Sequence, residues 1–248
     1  MARKAATKEV TTGTVEVKND ATDALIAKIN GQLKGGKITR ASEIDGLFLL
    51  RRPTGIPSLD IELAGGLPAR GVVQFAGAPN SGKTALAYQV CKNVQQIYGE
   101  ETRIALLMVE TFDKGFAKSI GFHIGYSDAE ISALSKAYKR DLSPEELAYM
   151  KKEIGKVYHV KFPTAEVLLE AALDIVESNQ FHVVVIDSVA AMETEQEAGK
   201  DLDEYTRGGP SKVLSAFFKK LSSMHFDTTV IMINQLRDNM NASNPYDK

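Results

Sequence analysis

Val72-Val73-Gln74-Phe75-Ala76-Gly77-Ala78-Pro79-Asn80-Ser81-Gly82-Lys83-Thr84 is the stretch on which the fold turns. A short apolar run gives way to the pattern G-x-x-x-x-G-K-[ST], and a helical periodicity follows over residues 84–98, with Ala85 the first residue past the motif and outside it. Each residue type has a physical reason to be there. The glycines permit a tight loop, consecutive backbone N–H groups converge on phosphate oxygens, and the next helix aims its positive end at them. Lys83 supplies a compact charge for the β- and γ-phosphates of ATP, and Thr84 a hydroxyl for Mg²⁺. Gly77, Ala78, Pro79, Asn80, Ser81, Gly82, Lys83 and Thr84 are therefore the expected nucleotide-binding loop, with Lys83 also in a catalytic role.

Working outward, residues 104–109, 183–186 and 229–233 are further short runs rich in Val and Ile, apolar on both faces as buried parallel strands require. Residues 157–160 are expected to add one more. Helical patterns lie between them at 112–120, 165–177 and 211–224, so the fold class is α/β, a mostly parallel doubly wound sheet with helices on both faces. Ligands bind at the carboxyl ends of such strands, and three of them end in polar residues. Asp187 is the expected Mg²⁺ carboxylate, or else a helix N-cap. Glu110 can polarise an attacking water, or cap a helix. Gln235, in Asn234-Gln235, can sense the γ-phosphate and pass its presence to the following loop.

Composition narrows the function classes. The chain has 248 residues, 44% hydrophobic and 25% charged, with 30 Lys and Arg against 32 Asp and Glu. A chain that is 44% hydrophobic is not predominantly disordered, and a net charge of -2 argues against coating nucleic acid by bulk positive charge. The single cysteine, Cys91, excludes a disulfide scaffold, and the four histidines lack metal-ligand spacing. No apolar run is long enough to span a membrane, and no apolar signal region follows the start.

Residues 1–20 read as a mobile arm. Residues 21–52 hold a short amphipathic helix, with Leu25, Ile26, Ile29 and Leu33 on one stripe and Gly35-Gly36 as its stop, and then a basic linker with Lys37, Arg40, Arg51 and Arg52. The helix either packs on another molecule or folds back on its own domain, and the linker is either a solvated surface or a nucleic-acid contact. Residues 53–248 form the core, interrupted at about 126–156 by a polar helical hairpin in which Ser143-Pro144-Glu145-Glu146 reads as a capping box with proline at the first helical position.

Five ordered motifs resemble the RecA homologous-recombination proteins: residues 54–68 (from Thr54-Gly55-Ile56-Pro57 to Gly65-Gly66-Leu67-Pro68), the phosphate loop, Val109-Glu110-Thr111-Phe112-Asp113, Val185-Ile186-Asp187-Ser188 and Ile233-Asn234-Gln235-Leu236-Arg237. The inserted hairpin makes the chain most similar to a divergent phage-type member. The resemblance implies an ATP-dependent DNA recombinase that polymerises on single-stranded DNA as a helical filament, binds double-stranded DNA and promotes homologous pairing and strand exchange. It also implies single-strand-binding and loader proteins as further partners, no membrane, and the cytoplasm of a bacterium or a phage-infected host. Glu110 matches the catalytic glutamate, Gln235 the glutamine that links the γ-phosphate to DNA, and Asp113 and Phe116 the adenine contacts, with Phe116 in place of a tyrosine. The helix near the start matches one that docks on the adjacent protomer.

Two DNA-binding loops match residues 194–210 and the stretch from Leu236 onward. The first is acidic, with Glu195, Glu197, Asp201, Asp203 and Glu204, so the better DNA contacts are Arg207, Gly208, Gly209, Lys212, Ser215 and Lys219, joined by Arg237 and Asn239 from the second loop. The chain stops inside the second loop, where the family continues. A truncated reading frame, a split gene and a fragment each account for that, and each puts hydrolysis across a filament interface in doubt. Two other readings stay open at this point: a RecA-fold ATPase of another kind, such as a ring helicase or a clock or signalling ATPase, and a non-hydrolysing accessory of longer filaments.

Overall fold

The computed structural model describes residues 21–34, 36–40, 50–109, 111–152, 154–197 and 209–236, in two compact units that divide between Phe48 and Leu49. In the first unit α1 (Ala21–Gln32) buries none of its residues, and its apolar Leu25 is exposed. The chain returns along it: Asn30 exchanges two hydrogen bonds with the backbone of Ile38 and Asp23 pairs with Arg40. The expected arm at residues 1–20 lies outside the described residues.

The second unit is built on five parallel strands, β3 (Gly71–Gly77), β4 (Arg103–Met108), β5 (Lys156–Lys161), β6 (Val183–Asp187) and β7 (Thr229–Gln235), in the order β3-β7-β6-β4-β5. The apolar runs become strands because alternate side chains are buried on both faces. Ala105, Leu107, Val184, Ile186, Val230 and Met232 pack under α7 (Ala165–Glu177) and α8 (Gly209–Ser223). Ile104, Leu106, Met108, Val183, Val185, Ile231 and Ile233 pack under α3 (Lys83–Tyr98), beside α4 (Lys114–Ile120). Both faces are covered, as the α/β reading requires. β5 differs from the other apolar runs: it pairs with β4 alone and is largely exposed, so its Tyr158 and Val160 meet solvent.

The expected hairpin at 126–156 is α5 (Asp128–Tyr138) and α6 (Pro144–Lys151), closed at its base by the Tyr126 N–H on the Met150 carbonyl. Both helices open with a capping box. Ser143 and Glu146 form the expected one, and Ser127 and Glu130 form a second beyond the one expected. The Ser127 N–H and the Lys118 ammonium hold the Glu130 carboxyl down at about 2.

Arg51 and Arg52 depart from the linker reading, for both lie in the second unit, in β1 (Arg51–Arg52), which pairs with β2 (Leu67–Pro68) after the short helix α2 (Pro57–Glu62). Arg52 is neither solvated surface nor a nucleic-acid contact. Its guanidinium is buried and donates to the carbonyls of Ala69 and Asp227 and to the Thr229 hydroxyl, tying the start of the core to the amino edge of β7. The approach is so close that a Cβ on Gly66, which sits at φ +115°, would meet the Arg52 carbonyl oxygen at 2.2 Å. Beside it, the His182 ring packs tilted against Tyr98 with centroids 4.2 Å apart and accepts the Arg103 N–H on Nδ1. No helix among the described residues is long and apolar enough to cross a membrane.

Two outcomes follow from this amino edge. Arg52→Met strands buried acceptors and is expected to cost about 2–4 kcal/mol in urea denaturation; a midpoint equal to wild type would refute the strut. Burial, reinforced by the Arg52 and Arg103 charges, lowers the pKa of His182. The unfolded chain then binds its proton before the native one does, so His182 contributes stability above the ordinary histidine range that is lost as pH falls through it. The stability difference between wild type and His182→Gln should shrink between pH 7.5 and 5.5, and a constant difference would contradict this.

Candidate nucleotide-binding site

The phosphate loop leaves β3 at Gly77 and enters α3 at Lys83. Gly82 caps the helix at φ +85°, a left-handed conformation that glycine adopts without strain. At Gly77 the loop passes close to itself: a Cβ there would lie 2.8 Å from the Ser81 Oγ, which would have to rotate away. The Lys83 ammonium bends back over the loop and donates to the carbonyls of Gly77 (3.1 Å) and Ala78 (2.6 Å). The first turn of a sixteen-residue helix thus faces the loop with its N–H groups and a cation together, which is an anion site by construction.

Asp187 ends β6 and is 4% exposed; the Thr84 hydroxyl donates to its Oδ2 at 2.9 Å. A hydroxyl and a buried carboxylate in contact at the start of α3 are hard oxygen ligands of the kind Mg²⁺ takes, so the residues fit the ion. Asp187 is not the cap of the turn that follows it, a three-residue 3-10 segment, Val189–Ala191, whose capping position belongs to Ser188. The Val109 N–H donates to the Asp187 carbonyl (2.8 Å), bringing the end of β4 alongside. On the other flank Gln235 stands opposite Gly77 in the β3–β7 ladder, and the Leu236 N–H donates to the Gly77 carbonyl (3.1 Å).

A cleft of about 300 Å³ joins these groups, lined by residues 80–85 with Phe116, Asp187, Ile233 and Gln235. Ala85, outside the motif, belongs to its wall, as does Ile233. Phe116 is 41% exposed, which leaves a ring face available to a base. Asp113 immediately precedes α4. Its carboxylate caps α4 by accepting the Phe116 N–H at 2.9 Å, and it does not line the cleft. Its capping also explains why α4 begins at Lys114 rather than at Phe112. Tyr88, which carries no motif in the sequence, packs beneath Phe116 on α3. Its place in a helical stripe with Cys91 marks both as core, and Cys91 is a fully buried thiol whose pKa burial pushes up.

Glu110, Arg207, Gly208, Arg237 and Asn239 lie outside the described residues. Gly209 opens α8, on which Lys212, Ser215 and Lys219 are exposed at helical spacing on one face, with the Ser215 hydroxyl donating to the Ser211 carbonyl. Glu197 is buried and accepts from both the N–H and the hydroxyl of Thr194, so its charge turns inward.

A family model described as "ATPase: KaiC" matches residues 52–246. The chain is 30% identical to Protein RecA of Chloroflexus aggregans over 224 residues, 89% of this chain and 55% of that protein. It is 29% identical to Protein RecA of Saccharopolyspora erythraea over 224 residues, 89% of this chain and 56% of that protein. With the DNA repair protein recA homolog 1, chloroplastic, of Arabidopsis thaliana it shares 25% identity over 219 residues, 88% of this chain and 43% of that protein. The chain spans about half the length of the curated relatives it matches. A phosphate loop at the head of a parallel sheet agrees with these similarities, and the chain belongs to the RecA-like family of P-loop ATPases that the KaiC description covers.

Proposed function

We propose that the chain is an ATP-dependent recombinase that forms a helical filament on single-stranded DNA and promotes homologous pairing and strand exchange with double-stranded DNA. The observation that carries this reading is the register that sets Gly77 beside Gln235. The strand that leads into the second candidate DNA loop thereby ends next to the phosphate loop, so phosphate occupancy and loop order share one backbone contact. The similarity to RecA proteins over 89% of the chain supports the same reading.

In the mechanism, the first turn of α3 and the loop N–H groups bind the triphosphate, and Lys83 exchanges the Gly77 and Ala78 carbonyls for β- and γ-phosphate oxygens. Thr84 and Asp187 would hold Mg²⁺, which would supply charge neutralisation at the phosphates. Phe116 offers its exposed ring to the adenine, and Asp113, which caps α4 through one carboxylate oxygen, contacts the base with the other. Glu110 follows Val109, whose N–H is bonded to Asp187, and from there orients the attacking water. The Gln235 amide bonds the γ-phosphate and loses that tether when the phosphate leaves, which frees the loop that begins at Leu236. Arg207, the Gly208 and Gly209 N–H groups, Lys212, Ser215, Lys219, Arg237 and Asn239 contact DNA phosphates. The first unit, with α1, supplies the contact between protomers, and its exposed Leu25 and Leu33 are the apolar surface such a contact buries.

The KaiC description of the matching family favours one other reading, a ring-forming ATPase that does not exchange strands. Strand exchange with ATP and with a non-hydrolysable analogue, together with electron microscopy on single-stranded DNA, separates the two: filaments and exchange support the recombinase, closed rings without exchange the alternative.

Lys83→Ala is expected to lower ATP affinity about a hundredfold or more. Glu110→Gln is expected to slow turnover about 10²–10⁴-fold while leaving ATP binding within about twofold. Equal loss of binding and turnover in the Gln variant would reject the role of Glu110. Deleting residues 1–36 should leave ATP binding intact and abolish co-sedimentation with single-stranded DNA; unchanged sedimentation would sink the assembly role.

A further inference from the structure

We propose that Tyr88 is a positioning residue for the base end of the nucleotide: its buried ring sets where Phe116 stands relative to Lys83. The inference rests on the reading of Phe116 as the adenine platform and adds a determinant of base selectivity on the phosphate-loop helix itself.

Tyr88 lies on α3 five positions beyond Lys83 and is 1% exposed. Three aromatic rings touch it, and together they bracket α4. Phe112, just before the helix, meets it edge-on at 5.9 Å; Phe116, within the helix, lies at 6.0 Å; Phe122, just past the helix, lies at 5.9 Å. Within α4 itself Ala117 is the buried residue. The helix is short and stiff in itself, capped by Asp113 at one end and by the left-handed Gly121 at the other, with the Phe122 N–H returning to the Ala117 carbonyl. It can therefore move only as a unit, and the Tyr88 ring is the common surface on which that unit rests.

The consequence for the ligand is geometric. The phosphates are held by backbone and cation at the first turn of α3, and the base by a ring carried on a different, seven-residue helix. A nucleotide can span only a bounded distance between triphosphate and base, so affinity for ATP depends on the separation and tilt of the two elements. Tyr88 belongs to the first element and touches the platform of the second. Its contribution is made by the ring. Burial and the neighbouring Asp187 and Asp113 charges push its hydroxyl pKa up, so the group stays protonated and uncharged. An aliphatic residue of similar volume would fill the space but not set the angle that edge-on and tilted ring contacts prefer.

The test compares affinities of the whole chain for ATP and for inorganic tripolyphosphate, each with Mg²⁺, in wild type, Tyr88→Phe, Tyr88→Leu, Tyr88→Met and Phe116→Ala. The expected result is that Tyr88→Leu and Tyr88→Met weaken ATP about tenfold, leave tripolyphosphate within about twofold, and fall together with Phe116→Ala in the ratio of the two affinities. Tyr88→Phe should keep the wild-type ratio. Equal weakening of both ligands in the Leu and Met variants would show that Tyr88 supports only the packing of α3, and overturns the proposal. An unchanged ratio in the Leu and Met variants beside a lowered one in Phe116→Ala also overturns it, while sparing the platform. A wild-type ratio in Phe116→Ala overturns platform and proposal alike. Should Leu and Met both fail to fold, loss of the ratio in Tyr88→Phe would still refute a role made by the ring.

Discussion

The parallel ladder between β3 and β7, from Gly71 opposite Thr229 to Gly77 opposite Gln235, is the constraint on which the arrangement of the second unit depends. Buried backbone groups must be paired, and satisfying them along this ladder leaves no freedom in what stands at its two ends. At the carboxyl end the phosphate loop begins beside Gln235, and β6, paired to β7, delivers Asp187 to the Thr84 hydroxyl. At the amino end Thr229 meets the buried Arg52, which anchors the first strand of the core. The chemistry of the cleft and the bracing of the opposite edge are two consequences of one register.

The faces of the sheet divide the labour. Under α7 and α8 the packing is aliphatic, with Leu168, Leu169, Ala172 and Val176 repeating at helical spacing against β4, β6 and β7. Under α3 it turns aromatic toward α4, where Tyr88, Phe112, Phe116 and Phe122 meet. The aliphatic face is a core that any covered parallel sheet needs. The aromatic corner adjoins the cleft, and rings have preferred mutual angles that aliphatic side chains lack, so this is where side-chain packing can set the position of a ligand-facing group.

Much of the fold and part of the site are legible in the amino-acid sequence, for a simple reason. Apolar runs of Val and Ile, Gly77 to Thr84, and Ser143 with Glu146 are local patterns whose meaning depends on neighbours within a few residues. Asp187 can be placed at a strand end from the same kind of pattern, but the choice between metal ligand and helix cap needs Thr84, 103 positions away in sequence. Arg52 reads as linker because a basic residue in a basic stretch carries no mark of burial; its acceptors sit next to β2 and on and before β7. Asp113 is placed near a base by its position in a motif, while its cap on the Phe116 N–H three residues on is a contact that only the structure shows. Glu197 counts toward an acidic loop by composition, yet its side chain turns inward to Thr194.

Short-range pattern is enough for the α/β class, the phosphate loop, the inserted hairpin and the strand ends at which a ligand must sit, since each depends on periodicity or on turn chemistry over a handful of residues. Strand order, the pairing of Gly77 with Gln235, the burial of Arg52 and the seating of Phe116 on Tyr88 are contacts between residues far apart along the chain. Periodicity says which face of an element is apolar but not which partner covers it, so these contacts are decided only when the sheet and its helices assemble.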